Sequence, residues 1–155
     1  MKKIIYLIVL MTVFFVITGC GKDSIKKIEC TFFTEGNYMN EYGYLSYYFK
    51  NDKITSEEIK VSFKDISTEI SDDLWDYLVI GFNDQNSKVD EIGYKKYSSV
   101  DNKKHELYVT EEIDFKKISK ESIEKYDIDD LRGKSFEKIK KDFMEANPDS
   151  KLTCK

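Results

Sequence analysis

The sequence predicts an α+β fold: one antiparallel β-sheet with two main helices packed on one face. Three observations carry this. Segments with a period of two, rich in aromatic and β-branched residues, stand before and between segments with a period near four, without a regular strand–helix–strand alternation. Polar turn signals separate the strand segments closely enough to form hairpins, so an antiparallel meander is expected. The 155-residue chain is 41% apolar and has one proline, enough material for one core and too little for two.

The N-terminus begins with Lys2 and Lys3, an apolar run over 4–17, and small residues before Cys20. This is the three-part layout of a secretory signal peptide. The run is shorter than the roughly 18 to 20 apolar residues a membrane span needs, and it is apolar on every face, unlike a helix that must also meet water. Ile17-Thr18-Gly19-Cys20 resembles the lipobox of bacterial lipoproteins, where a cysteine thiol takes a diacylglyceryl group before the signal is removed. Gly19 gives little bulk at the cut and Cys20 the reachable thiol; the alternative is an ordinary signal peptide that happens to end at a cysteine. The resemblance implies a signal peptide over 1–19, a lipidated tether over 20–27 and a single domain over 28–155, held by lipid on the extracytoplasmic face of the cell membrane. Losing Lys2 and Lys3 takes the formal net charge from −4 to −6. An acidic body is repelled by nucleic acid and by anionic headgroups, so no nucleic-acid partner is expected.

With Cys20 committed to lipid, Cys30 and Cys154 remain in a compartment where disulfides persist. A bond between them would join the first strand to the end of the chain, and a loop of more than about 100 residues gains roughly 4 to 5 kcal/mol in the chain-entropy model. Two buried free thiols are the alternative. Two thiolates and His105, the one histidine, cannot complete a zinc tetrahedron without a carboxylate, and no metal or other cofactor is expected.

Beyond the tether, 28–33 and 44–49 read as strands, and Asn51-Asp52-Lys53 is a turn that makes 58–63 a hairpin partner, with Ile59, Val61 and Phe63 on one face. Ile66, Ile70, Leu74, Leu78 and Phe82 recur every four residues and mark a helix that starts between Asp65 and Asp72 and ends near Gly81; Ser71, Asp72 and Asp73 suit its N-terminus. A loop over 83–88 leads to a second hairpin, 91–100 and 105–113, turning at 101–104 with Leu107, Val109 and Ile113 on one face. Residues 119–134 read as a short helix or turn. The last helix runs over 136–146, capped by Ser135, striped by Phe136, Ile139 and Phe143, and stopped by Asn147-Pro148. Residues 151–155 close the chain as a short strand.

The lipobox, the Cys30-Thr31 pair at the first strand, the meander, helix, hairpin and last helix, and the terminal Thr153-Cys154-Lys155 together are similar to the YehR-like small lipoproteins of Gram-positive bacteria. That resemblance implies a surface lipoprotein with a compact α+β domain. It brings no catalytic residues.

His105 lies among charged residues at a hairpin end, and no phosphate loop, nucleophile elbow or HExxH is present. Acids cluster at Asp72, Asp73 and Asp76, at Glu111, Glu112 and Asp114, and at Asp127, Asp129 and Asp130; caps and solvated faces explain them. The stretch 84–91 has Val89 where a calcium-binding EF-hand loop needs glycine. The distinctive stretch is 37–49, with Tyr38, Tyr42, Tyr44, Tyr47, Tyr48 and Phe49. Tyrosine offers a flat apolar face with a polar tip, suited to sugar or peptide, so Tyr38, Tyr42 and Tyr44 are the candidate ligand-binding residues. The bland reading is a strand with aromatics on both faces. The expectation is a non-enzymatic, membrane-anchored binding or scaffolding module of the cell envelope, partnered by the membrane through Cys20 and by an envelope protein, peptide or glycan. The alternative is an envelope hydrolase built on acidic residues, whose mark would be two carboxylates about 5 to 10 Å apart in a cleft.

Overall fold

The computed structural model describes residues 25–36, 38–64 and 71–155. The signal segment, Gly19, Cys20 and helical candidates Ile66 and Ile70 lie outside the described residues. Seven strands, β1 (Ile25–Thr34), β2 (Asn40–Lys50), β3 (Lys53–Lys64), β4 (Val89–Glu91), β5 (Tyr94–Asp101), β6 (Glu106–Asp114) and β7 (Lys151–Cys154), are joined by helices α1 (Asp72–Gln85), α2 (Lys120–Lys125) and α3 (Phe136–Ala146). The strands form one antiparallel sheet in the order β4-β5-β6-β3-β2-β1-β7.

Local chemistry sets the turns and helix starts. Asn51 and Asp52 both take left-handed backbone, with φ of 52° and 57°, which these short polar side chains tolerate and which matches the twist of a two-residue hairpin. The Ser71, Ser119 and Ser135 hydroxyls accept from the backbone N–H of Leu74, Ser122 and Lys138, capping the three helices. The Asn147 side chain and its own N–H both donate to the Phe143 carbonyl and close α3.

Register decides the core. Cys30, Leu45, Ile59, Glu111 and Lys96 stand opposite one another across five strands, so every second residue on each side of this row points to the same face. Both helical clusters pack on that face. Phe143 of α3 meets Phe32 at 5.3 Å between ring centroids, Phe136 meets Tyr47 and Phe49 at 6.3 and 6.2 Å, and Phe82 of α1 meets Phe63 at 6.3 Å. Trp75 completes the α1 contact over Leu107 and Val109. Gly43 lies directly opposite Phe32; the Phe32 ring crosses it so closely that a Cβ there would sit 1.7 Å from a ring carbon.

The structure carries the Cys30–Cys154 disulfide, closing 124 residues of sequence. Glu29 and Lys155 exchange both backbone hydrogen bonds, which makes Cys30 and Cys154 a non-hydrogen-bonded pair, the position in an antiparallel ladder where side chains come closest.

Four elements differ from expectation. Residues 25–27, expected as the end of the tether, are the start of β1, because Ile25, Lys26 and Lys27 pair with Lys50, Phe49 and Tyr48 of β2. The segment 91–100 is two strands, because Gly93 (φ 86°) turns the chain at Ile92-Gly93 and folds β4 back on β5; a Cβ at Gly93 would lie 2.3 Å from the Ile118 nitrogen. Helix α1 runs past Gly81 to Gln85, since Gly81 meets nothing and Phe82 is buried against the sheet. The buried stripe of α1 includes Trp75, outside the four-residue series.

Candidate functional site

The two sheet faces carry different chemistry. On the face away from the helices, Phe33, Tyr42, Ser62 and Tyr108 stand in one cross-strand row, and Thr31, Tyr44, Lys60, Thr110 and Tyr97 in the next. Each ring is held by a partner outside the middle of these rows. Tyr42 packs on Phe33 at 5.1 Å, the Tyr44 hydroxyl donates to Glu29 on β1, and the Tyr108 hydroxyl donates to Glu106 on its own strand. The Ser62 and Thr110 positions on the floor are thereby left between the rings. The result is a slot of about 310 Å³ lined by Tyr42, Tyr44, Lys60, Ser62, Tyr108 and Thr110. One strand separates β2 from β6, so the slot is roughly 10 Å across at the backbone.

Charges fix this surface. Lys27 at 2.5 Å and the Tyr44 hydroxyl both hydrogen-bond Glu29 and hold its carboxyl below the usual range. The Lys64 ammonium lies 4.5 Å from the Tyr42 ring centroid, a favourable cation–π distance, and Lys60 pairs with Glu58 at 2.6 Å.

On the helix-covered face, a cavity of about 900 Å³ opens between the sheet and the α2–α3 cover. Glu57, 7% exposed, lies on its floor. Burial pushes its carboxyl up to about 7, against a hydrogen bond from Tyr47 and with added repulsion from Asp129 and Glu111. Glu111 pairs with Lys96 at 3.2 Å and hydrogen-bonds Tyr94, whose phenol burial raises.

Of the three sequence candidates, the structure brings Tyr42 and Tyr44 together and separates Tyr38 from them. Tyr38 is 59% exposed in the β1–β2 connection and lines a groove on the helix side. Of the acid clusters, Asp72 and Asp73 occupy the first turn of α1, Glu111 and Asp129 reach the cavity, and Asp130 pairs with Arg132 at 2.6 Å. His105 is half-buried and stacks on Trp75 at 4.8 Å. Among the described residues, no three His, Cys, Asp or Glu side chains converge as a metal site, and no helix is long and apolar enough to cross a membrane.

Sequence reasoning missed Tyr108 and Glu57. The inward parity of Ile59, Val61 and Phe63 extends back to Glu57 and marks it as a buried acid. Tyr108 alternates with inward Leu107 and Val109, but only strand order places it across from Tyr42.

No protein-family model matches the chain, and no curated protein does. Among solved structures, an NMR structure of a protein from Streptococcus pneumoniae TIGR4 is similar, with a TM-score of 0.56 over 88% of this chain and 90% of that chain. At 13% identity the similarity is one of fold.

Proposed function

We propose that the chain is a lipid-anchored, extracytoplasmic binding module that holds an envelope glycan in the tyrosine slot on the sheet face away from the described helices. The observation that carries this is the placement of Tyr42 and Tyr44 on one side of the Ser62–Thr110 floor and Tyr108 on the other. Aromatic walls suit the apolar faces of a sugar ring, while hydroxyls and Lys60 supply hydrogen bonds along its edge. The anchor rests on the lipobox at 17–20 and the apolar run before it.

Binding of solubilised cell-wall glycan by the wild-type chain, followed by calorimetry, tests the slot. Tyr108→Ala is expected to abolish binding with a small drop in melting temperature, because its ring lines the slot on the face that none of the described helices covers. Equal binding by wild type, Tyr108→Ala and Tyr44→Ala would refute it. Metabolic labelling with a palmitate analogue tests the anchor separately: wild type is expected to be labelled and Cys20→Ala not.

A hydrolase remains the second reading, favoured by Glu57 and Glu111. Glu57 lies opposite Ile113, two residues from Glu111 on β6, a diagonal relation that puts the two residues about 7 to 8 Å apart and their Cβ atoms somewhat closer. A carboxyl protonated near neutrality beside an ion-paired one matches the acid and base of glycoside cleavage. Release of reducing sugar from wall glycan by wild type, lost in Glu57→Gln, supports that reading; no release by wild type rejects it.

A further inference from the structure

A second groove, independent of the tyrosine slot, runs beside α1 on the helix side of the sheet, with a volume of about 900 Å³. Its walls are apolar and wet: Tyr38, Tyr77 and Ile80 line it and are 59%, 73% and 61% exposed. Large apolar side chains gathered at one exposed groove mark a contact surface rather than chance exposure.

The floor contains a charge the fold does not use. Glu41 is opposite Phe63 in the β2–β3 pair and points to the helix side, half-buried. No hydrogen bond or ion pair reaches its carboxylate among the described residues, and burial alone raises its pKa. Lys96, the lysine on the same sheet face nearby, is engaged by Glu111 at 3.2 Å. A half-buried carboxylate without a counter-charge costs stability that an apolar residue would not. A cation brought by a partner would remove that cost, and the exposed walls require the partner to be apolar on either side of it.

We propose that this groove docks a peptide segment of another protein in which a lysine or arginine sits on Glu41 and flanking apolar side chains lie against Tyr38, Tyr77 and Ile80. Of the three acids that line the groove, Glu111 is engaged by Lys96 and Asp84 is exposed to water on α1, so the half-buried Glu41 sets one basic residue at the centre, and a charge-assisted hydrogen bond in a partly dehydrated groove supplies direction. The apolar walls supply contact area.

The test is fluorescence anisotropy of the purified chain with a fluorescein-labelled peptide of alternating lysine and leucine, alongside a glutamate–leucine peptide of equal length. The lysine peptide is expected to bind and the glutamate peptide not. Glu41→Gln is expected to weaken binding about tenfold, the loss of one charge-assisted contact, with an unchanged or raised melting temperature. Glu145→Gln, an equal change in net charge on α3, is expected to leave binding unaltered. Ile80→Ser changes a side chain already in water, so it keeps the fold and should weaken binding several-fold. Absence of binding by wild type, equal binding of the two peptides, or equal losses in Glu41→Gln and Glu145→Gln would each overturn the proposal. None of these outcomes depends on the tyrosine slot, which lies on the opposite face.

Discussion

Replacing Glu57 by glutamine should make the protein more stable, and increasingly so as pH rises. Glu57 is 7% exposed, and the groups that face it are the Tyr47 phenol from β2, Glu111 from β6, itself paired with Lys96 of β5, and Asp129 from the connection after α2. Burial is the largest effect on its carboxyl and raises it from 4.5 to about 7. The folded state therefore binds the proton more tightly than the unfolded state. Its stability contribution is whole below about pH 4.5 and is lost as pH climbs through about 7. The rise from 4.5 to about 7 puts the loss at about 3.5 kcal/mol well above neutrality. Glutamine keeps an acceptor for Tyr47 and cannot ionise, so it avoids the loss. Urea denaturation at pH 5 and pH 8 measures it: the stability of Glu57→Gln relative to wild type should grow by about 2 to 3 kcal/mol between the two. A difference that stays flat with pH, or falls, would mean that the carboxylate is solvated in the folded state and that the cavity does not dehydrate it.

Reducing the Cys30–Cys154 bond should lower stability by about 5 kcal/mol, the chain-entropy value for a loop of this length; intact mass should rise by two hydrogens, and no mass change would show free thiols. Gly43→Ala should destabilise by about 1 to 3 kcal/mol, because the added methyl must displace the Phe32 ring. Phe32→Leu in the same background should recover part of that loss, and an unchanged melting temperature for Gly43→Ala would show that the ring does not lie across the strand.

Much of the architecture is legible residue by residue. The last helix spans 136–146 with Ser135 as its cap and Phe136, Ile139 and Phe143 on its packed stripe, as its period and flanking residues indicate. The Asn51-Asp52 turn and the inward set Leu107, Val109 and Ile113 are likewise readable, because caps, turns and side-chain parity depend on neighbours in sequence. The division of 91–100 into two strands is less legible, since Ile92-Gly93 is a weak turn signal and the need for glycine there comes partly from Ile118, which is remote in sequence and leaves no room for a Cβ.

The sequence by itself determined the element types, the likeness of 17–20 to a lipobox and the two cysteines available to pair, all of which rest on local pattern or composition. Tertiary structure alone decided that Tyr42 and Tyr44 share a face with Tyr108 while Tyr38 does not, and that Glu57 is dehydrated beside Glu111 and Asp129. The reason is physical: a side chain's parity on its strand is set within a few residues, but what lies across from it depends on strand order, and the water it keeps depends on which helix covers that face.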